Sequence, residues 1–580
     1  MRLNQHLTRV ARKAMQEAFG LENPEPDLRV ATDPKFGDYQ INGVLPLAKQ
    51  LKGNPRQLAE KLVATLDFEG ACLPPEIAGP GFINLRLDPA WVGRQVGRIA
   101  VDERLGVEEQ QPAQSIVVDF SSPNVAKRMH VGHLRSTILG DSLVRTLRFL
   151  GHRVVGDNHV GDWGTQFGTL IWSFKQGHDA ILLEQDPLGE LERLYKHGSE
   201  RARESAEVAE EARQELSRLQ AGDPENKALW ERFVGLSRRD AESLYDRLNV
   251  SFDSWKGESH YNHVLPALVD RMVAQGLARE DQGAIAIFYG DHPELGDKPF
   301  LVRKKDGAFL YATTDLATLE ERLEQYDPDR IIYVVDVRQS LHFVQLFEAA
   351  SLLGMLQNGR PRLEHVGFGM MLGQDGRPFK TREGGTVTLA ALLDEAAERV
   401  YPKVAERYPE ANHDELHRLA EQVGIGAVKY ADLCQHRTTD YRFDWEKLLA
   451  FEGNTGPYLQ YSLVRTRSLL REHLVRFGTE FVPEAGDLKL EEPEEKALAV
   501  ELLRLGDVLD RVAEHLTPHV LCEYLFGLGR CYNVFWDRCP ILKAEIPDSV
   551  RRRRLTLSAG VARAFEIGLS LLNIPALERM

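Results

Sequence analysis

Cysteine is scarce in this sequence and unpaired in its spacing. Five are present, Cys72, Cys434, Cys522, Cys531 and Cys539, an odd number with no C-x-x-C pair. That argues against a disulfide framework and a structural zinc site, and points to a reducing cytoplasm. Long apolar runs are also lacking. None approaches the ~20 residues that cross a bilayer, so no membrane association is expected. Positive charge is in deficit, with 72 Lys+Arg against 87 Asp+Glu for a net −15. This argues against indiscriminate binding to a polyanion, yet a local basic face could still hold nucleic acid. Internal repeats and low-complexity segments are absent.

What is present is a 580-residue chain with an ordinary hydrophobic fraction of 43%, long enough for about three or four domains. The opening "MRLNQHLTRVARKAMQEAFG" lacks the apolar core and cleavage site of a targeting peptide. Its Leu3, Leu7, Val10 and Met15 repeat as one helix face, which predicts the first helix of a folded domain. "FGDYQINGVLPLAKQL" runs from a glycine turn into a helix, and "IAGPGFINLRLDP" alternates as a strand. The polar "DERLGVEEQQPAQ" marks a boundary. "SIVVDFSS" then suits a buried parallel strand, "HLRSTILGDSLVRTLRFLG" a helix closed by Gly151, and "HRVVGDNHV" a second strand. That order is a βαβ unit opening a doubly wound sheet. From about 177 to 290 the pattern is helical and charge-laced, predicting an insertion. The sheet pattern returns in "AIAIFYG", "PFLVRKKDGAFLYATTDLAT" and "RIIYVVDVRQ". After "MMLGQDGRPFKTREGGTVTLAALLDEA" everything reads as helical, with "FEGNTGPYLQY" an irregular loop.

The first βα turn of such a sheet is where phosphates bind, because a helix N-terminus offers unpaired N–H groups. Neither G-x-G-x-x-G nor a P-loop stands there. The stretch "DFSSPNVAKRMHVGHLRST" instead places His130, Gly132 and His133 at the turn, with Lys127 just before. Gly132 permits close approach of the backbone, and each imidazole can donate to a phosphate oxygen without a permanent charge. Either histidine alone would be better read as a helix cap or a satisfied surface residue; the whole string favours phosphate.

"SSPNVAKRMHVGH" resembles the H-x-G-H signature of the class I aminoacyl-tRNA synthetases. "FKTREGG" stands where that family carries its K-M-S-K-S loop. Lys380 matches the first lysine, and Arg382–Glu383 replace the serine and second lysine. Together with "NHVGDWGTQFG", "DVRQSLHF", "GAVKYADL", "RTTDYRFDW" and "FEGNTGPYLQYS", the chain resembles the bacterial arginyl branch of the family over most of its length. In that branch an upstream lysine is thought to compensate for the missing one, and Lys127 occupies its place.

The resemblance implies a multidomain α/β protein. Residues 1–112 form an α+β N-terminal domain that leans on the tRNA elbow. Residues 113–395 form a Rossmann-like parallel-sheet catalytic domain split by the helical insertion, 396–450 a helical connector, and 451–580 an all-α anticodon-binding domain. It implies ATP-dependent activation of L-arginine and transfer to tRNA(Arg) by a monomeric cytoplasmic enzyme, with Mg²⁺ accompanying ATP and tRNA needed for activation. His130, Gly132, His133, Met371 and Lys380 would bind ATP, with Lys127 and Lys380 on the pyrophosphate charge. Ser122, Asn124, Glu258, Tyr311, Asp315 and Gln339 would bind arginine. A guanidinium is always charged and has five donors, so carboxylates, flat acceptors and a tyrosine form a suitable lining. Tyr311 and Asp315 lie one turn apart if helical, facing one pocket.

The tRNA would be met by Phe82 and Asn84 at its elbow, by Met580, and by Asn454, Tyr458, Tyr461, Tyr532 and Trp536 at the anticodon, where splayed bases favour aromatic stacking. Tyr524 is a further aromatic of the same kind, although helical spacing also fits core packing for most of these. "RRRR" at 551–554 suits either a phosphate grip or a solvated helix start. Two other activities share parts of this pattern. A small-molecule nucleotidylyltransferase would use H-x-G-H but needs no large C-terminal helical domain. A non-catalytic RNA-binding paralogue would not need the histidines and the full acidic set.

Overall fold

The computed structural model describes residues 2–290, 292–296, 298–377, 379 and 387–580. They form two compact units. One comprises residues 110–450 with 571–574, the other residues 1–109 with 451–570 and 575–580.

The first unit is built on a five-stranded parallel sheet. Its strands are β1 (Ser115–Asp119), β2 (Arg153–Val160), β3 (Ser254–Gly257), β4 (Arg330–Tyr333) and β5 (Arg362–His365), in the spatial order β5-β4-β1-β2-β3. The apolar runs of β1 and β4 are buried along their whole length, as central parallel strands covered on both faces must be. The chain leaves β1 toward β2 on one side and later returns to β4 on the other. That reversal opens a crevice at the carboxyl ends of β1 and β4, the position where doubly wound sheets bind ligands.

Three helices matter to that crevice: α1 (Val131–Phe149) after β1, α2 (Tyr311–Tyr326) before β4, and α3 (Ser340–Leu352) after it. Arg322 pins α2 to the sheet. Its guanidinium lies 2.6 Å from Asp119 on β1 and 2.6 Å from Asp157 on β2, all three side chains being nearly inaccessible. Arg135 on α1 is likewise buried, 2.9 Å from Asp432, and donates to the carbonyls of Arg437 and Thr439. The segments "GAVKYADL" and "RTTDYRFDW" thus brace the back of α1.

The structure departs from the sequence reading at several places. The stretch from 177 is helical to Arg247, after which Ser254–Gly257 joins the parallel sheet as β3, before a further helix at Leu265–Ala274. The runs "AIAIFYG" and "PFLVR" do not rejoin that sheet. With Ala278–Asp281 they make a separate three-stranded antiparallel sheet, and a short apolar run carries no sign of which sheet it will join. Tyr441–Arg442 adds a short strand beside Met371–Leu372 in a region read as wholly helical.

In the second unit the N-terminal helix spans Leu3–Phe19 and buries Leu3, Leu7 and Met15. A four-stranded antiparallel sheet follows, including a strand Tyr39–Ile41 inside the stretch read only as turn and helix. Five helices, Gly456–Phe477, Pro493–Leu503, Leu505–His515, His519–Arg538 and Asp548–Leu571, make up its C-terminal part. Thr455 caps the first of these, placing Tyr458 and Tyr461 on a helix rather than in the irregular loop. No described helix is long and apolar enough to cross a membrane.

Candidate functional site

The parallel strands all end at the same edge, and most of the residues expected to bind ATP and arginine lie just beyond a strand end, with Gly161 and Asp162 beside them. Ser122, Asn124, Lys127 and His130 follow β1; Gly161 and Asp162 follow β2; Glu258 follows β3; Gln339 follows β4; Met371 follows β5.

At the start of α1 the two histidines close a capping box on themselves. The Gly132 N–H donates to His130 Nδ1 (3.0 Å), and the His130 N–H donates to His133 Nδ1 (3.1 Å), with the ring centroids 4.0 Å apart. Burial, with the nearby charges of Lys127 and Arg338, lowers the His130 pKa. Burial and the neighbouring His130 push His133 down to about 3. Both rings are therefore neutral at pH 7. With each Nδ1 accepting from the backbone, the ring protons are assigned to Nε2, which leaves an Nε2–H donor on each ring that no described residue takes up. A Cβ at Gly132 would sit 2.8 Å from the His130 ring, so any larger residue displaces it. Lys127 is exposed, its ammonium 5.5 Å from the Tyr195 ring centroid.

Lys380, with the loop through Thr386, lies outside the described residues. The chain beyond it returns to the histidine turn: Val131 donates to Val387 O (3.3 Å) and Leu389 donates to Met129 O (2.8 Å). Met371 is buried, and its carbonyl accepts from Phe379.

The acidic niche gathers around the first turn of α2. The short 3-10 turn Glu258–Tyr261 packs against α2, whose first turn carries Tyr311 and Asp315. Burial, then the charges of Asp315 and Asp162, push the Glu258 carboxyl up to about 8. Asp315 accepts from His342 Nε2 (2.6 Å), and the His342 ring lies 4.8 Å from that of the exposed Tyr311. Asp162 accepts from the Ser259 N–H (2.8 Å) and hydroxyl (2.7 Å). Gly257 is required there, because a Cβ would run into the Asp162 carboxylate. Asn124 pairs with Gly161, which ties the β1 loop to the residue before Asp162. Ser122 is half-buried and donates to Asp119 (3.0 Å). Gln339 is exposed on the turn that precedes α3 and makes no side-chain hydrogen bond to a described residue.

Three residues of this site were not singled out from the sequence. Asp162 stands in the quoted "NHVGDWG", and its signal was a Gly-Asp turn straight after a strand. His342 stands in "DVRQSLHF" three residues past Gln339, one helical turn away. Arg338, beside it, is close enough to His130 to act on its charge. Among the described residues no group of three or more His, Cys, Asp or Glu is arranged to hold a metal ion.

In the other unit the aromatic residues divide. Tyr458, Asn533, Arg465 and Trp536 form one connected patch. Asn533 donates to the Tyr458 hydroxyl (3.0 Å), Arg465 donates to Asn533 (2.9 Å), and the Arg465 guanidinium lies 4.5 Å from the Trp536 ring centroid. Tyr461 is exposed on the same helix as Tyr458, and Asn454 is exposed in the loop before it. Tyr532 does not join them. It is 1% exposed, and with Tyr524, Leu528 and Phe535 it lies on the buried face of its helix, leaving no ring face for a base. Met580 is also buried, as is Asn84, which accepts from Gln40; only Phe82 of the elbow pair is half-exposed. In "RRRR", Arg553 and Arg554 fit neither reading: both are buried against the fully inaccessible Glu495, at 3.1 and 2.8 Å.

Comparison with known proteins agrees with this architecture along the chain. Family models described as "Arginyl tRNA synthetase N terminal domain", "tRNA synthetases class I (R), catalytic domain" and "DALR anticodon binding domain" match residues 2–87, 95–445 and 459–580. The chain is 46% identical over 575 residues to the arginine–tRNA ligase of Alteromonas mediterranea, covering 98% of each. It is 47% identical over 552 residues to that of Cellvibrio japonicus, covering 94% of each. Its structure is similar to Plasmodium falciparum arginyl-tRNA synthetase, with a TM-score of 0.85 at 26% identity over 100% of this chain and 99% of that one. The Thermus thermophilus arginyl-tRNA synthetase gives 0.82 at 25% identity over the whole of both. An imidazole-capped βα turn beside an acidic niche, in a chain so matched from end to end, leads to one conclusion: this protein belongs to the arginyl-tRNA synthetase family of class I.

Proposed function

We propose that the protein charges tRNA(Arg) with L-arginine at the expense of ATP. The observation that carries this is the pairing, along one edge of the parallel sheet, of a neutral two-histidine turn suited to phosphate with a half-buried pair of carboxyl groups suited to a guanidinium.

The α-carboxylate of arginine attacks the α-phosphorus of ATP. The bond from that phosphorus to the bridging oxygen breaks, pyrophosphate leaves, and arginyl-adenylate forms. The protein's part is positioning and stabilising charge that builds on phosphate oxygens. The Nε2–H groups of His130 and His133 and the dipole end of α1 meet that charge without being neutralised by their own surroundings. Lys127 and Lys380 offset the charge of the departing pyrophosphate. Mg²⁺ would accompany ATP as part of the substrate and would offset triphosphate charge, since among the described residues no carboxylate cluster is arranged to hold it. Asp315 and Glu258 take the guanidinium with Tyr311 alongside, and Ser122, Asn124 and Gln339 complete the arginine lining. The terminal ribose hydroxyl of the tRNA, the 2′-OH by analogy with class I, then attacks the arginyl carbonyl and AMP leaves.

The 451–580 region is assigned to the anticodon, with Tyr461 and the Tyr458–Trp536 patch as the base-facing aromatics; residues 1–112 are assigned to the elbow through Phe82. ATP–pyrophosphate exchange tests the reading. Exchange with arginine in the presence of tRNA(Arg) is expected, and exchange only with another amino acid would refute it. Deleting residues 451–580 should abolish charging, whereas a small-molecule nucleotidylyltransferase would keep its turnover.

A further inference from the structure

We propose that L-arginine enters the niche with release of a proton from Glu258, so that the ligand itself creates the second anion that binds it. The inference rests on the arginine reading above and concerns how that same site selects its ligand.

Three carboxyl groups meet here, and they are not equivalent. Asp162 holds two donors from Ser259, and Asp315 holds one from His342. Glu258 has no hydrogen bond and no ion pair with any described residue through its side chain, although it is half-buried and feels the charge of both of the others. Most of the basic groups around it are already engaged. On the turn that carries Glu258, His260 lies 3.1 Å from Glu321; on β3, Lys256 lies 2.8 Å from the same Glu321. On α2, Arg322 is taken up by Asp119 and Asp157. From α3, His342 is held by Asp315; from β2, His159 acts on Asp162 through charge alone, and neither of its ring nitrogens has a hydrogen-bond partner.

A third negative charge, half withdrawn from water beside two others and with no protein donor or counter-ion, is costly, and a carboxyl so placed keeps its proton. Its elevated pKa of about 8 accords with this and corresponds to roughly nine-tenths of a bound proton near pH 7. Arginine reverses the balance. Its guanidinium never loses its charge and presents two parallel donors to each carboxylate it meets. On binding, the O–H bond of Glu258 breaks heterolytically, the electron pair stays on the carboxylate oxygen, and the proton passes to buffer. Asp315, oriented by His342, is the permanent anion; Glu258 is the conditional one. A neutral isostere such as L-citrulline supplies no charge to drive this ionisation and meets an uncharged Glu258.

The test is isothermal titration of the full-length protein with L-arginine in two buffers of different ionisation enthalpy, across a range of pH. Near pH 7 the enthalpy should differ between buffers by about 0.9 proton's worth, falling to about a tenth near pH 9. Because binding releases a proton, affinity should rise close to tenfold per pH unit below about pH 8 and level off above it. Glu258→Gln should abolish the buffer dependence. If that variant binds too weakly to titrate, difference infrared spectra of the wild type should show the protonated-carboxyl stretch lost on adding arginine. Equal enthalpies in both buffers, no such spectral change, or proton release surviving in Glu258→Gln would overturn the proposal while leaving arginine recognition intact. No heat with arginine in any buffer would overturn the arginine reading, and this inference with it.

Discussion

Replacing Arg322 by methionine tests whether the acidic niche is held in place from beneath. The substitution keeps the aliphatic stem but removes a guanidinium that is 2% exposed and lies within 2.9 Å of Asp157 and 2.6 Å of Asp119, themselves 5% and 8% exposed. Breaking a buried pair by removing one partner strands the other charge, which costs about 3–5 kcal/mol, or two to four orders of magnitude in the unfolding equilibrium. Here two carboxylates are stranded, so the upper end applies. The assay is urea unfolding of the whole protein followed by tryptophan fluorescence; five of the seven tryptophans lie between residues 110 and 450 and report on that unit. Arg322 also fixes the helix whose first turn bears Tyr311 and Asp315. The KM for arginine should therefore rise roughly tenfold or more even where the variant remains folded. Adding Asp119→Asn and Asp157→Asn should recover much of the lost stability. A variant within 1 kcal/mol of wild type by the linear-extrapolation measure, with unchanged KM, would refute the argument.

Other expectations follow from the same geometry. His133→Ala removes one Nε2–H donor and should lower ATP–pyrophosphate exchange by roughly 10²–10³-fold, leaving tRNA binding in a filter assay intact. Gly140→Ala places a methyl against the Phe120 ring and should cost about 1–3 kcal/mol by urea unfolding. Glu495 has its pKa lowered: burial, which alone would raise it, is outweighed by hydrogen bonds from Arg554, the Glu491 backbone and Arg553. A depressed folded value means stability that is present above the ordinary carboxylate pKa of about 4.3 and lost as pH falls through the lower one. The gap between wild type and Glu495→Gln should then be full at neutral pH and close in acid, as read by urea midpoints. Tyr461→Ala should raise the KM for tRNA without changing stability, whereas Tyr532→Ala should lower stability by about 3–5 kcal/mol, as other large-to-small aromatic truncations in cores do, with pyrophosphate exchange at saturating tRNA largely kept.

The strand–histidine turn–helix unit was legible because its chemistry is local: an apolar β-branched run, a glycine between two imidazoles, then leucines at helical spacing. The histidine tautomers were not, since they depend on which backbone N–H each ring accepts. Glu258, Tyr311 and Asp315 could be named from motifs, but their coupling depends on a β3 strand hidden at the end of a long helical stretch. His342 was missed because a residue that orients another carries no pattern of its own, and Asp162 was missed although a Gly-Asp turn straight after a strand marked it. Tyr532 shows an error that the sequence could have prevented. Tyr524, Leu528, Tyr532 and Phe535 repeat at helix-face spacing, which marks core. The arginine run misled in the opposite sense, since its two buried members found a carboxylate 58 or 59 residues earlier in the chain, a pairing no local window reveals.

The most direct test is a crystal structure of the protein with L-arginine and a non-hydrolysable ATP analogue. The account predicts the guanidinium within hydrogen-bonding reach of both Glu258 and Asp315, and the triphosphate oxygens on the Nε2 atoms of His130 and His133. Either ligand bound away from the carboxyl edge of β1 and β4, or a guanidinium touching neither carboxylate, would contradict it.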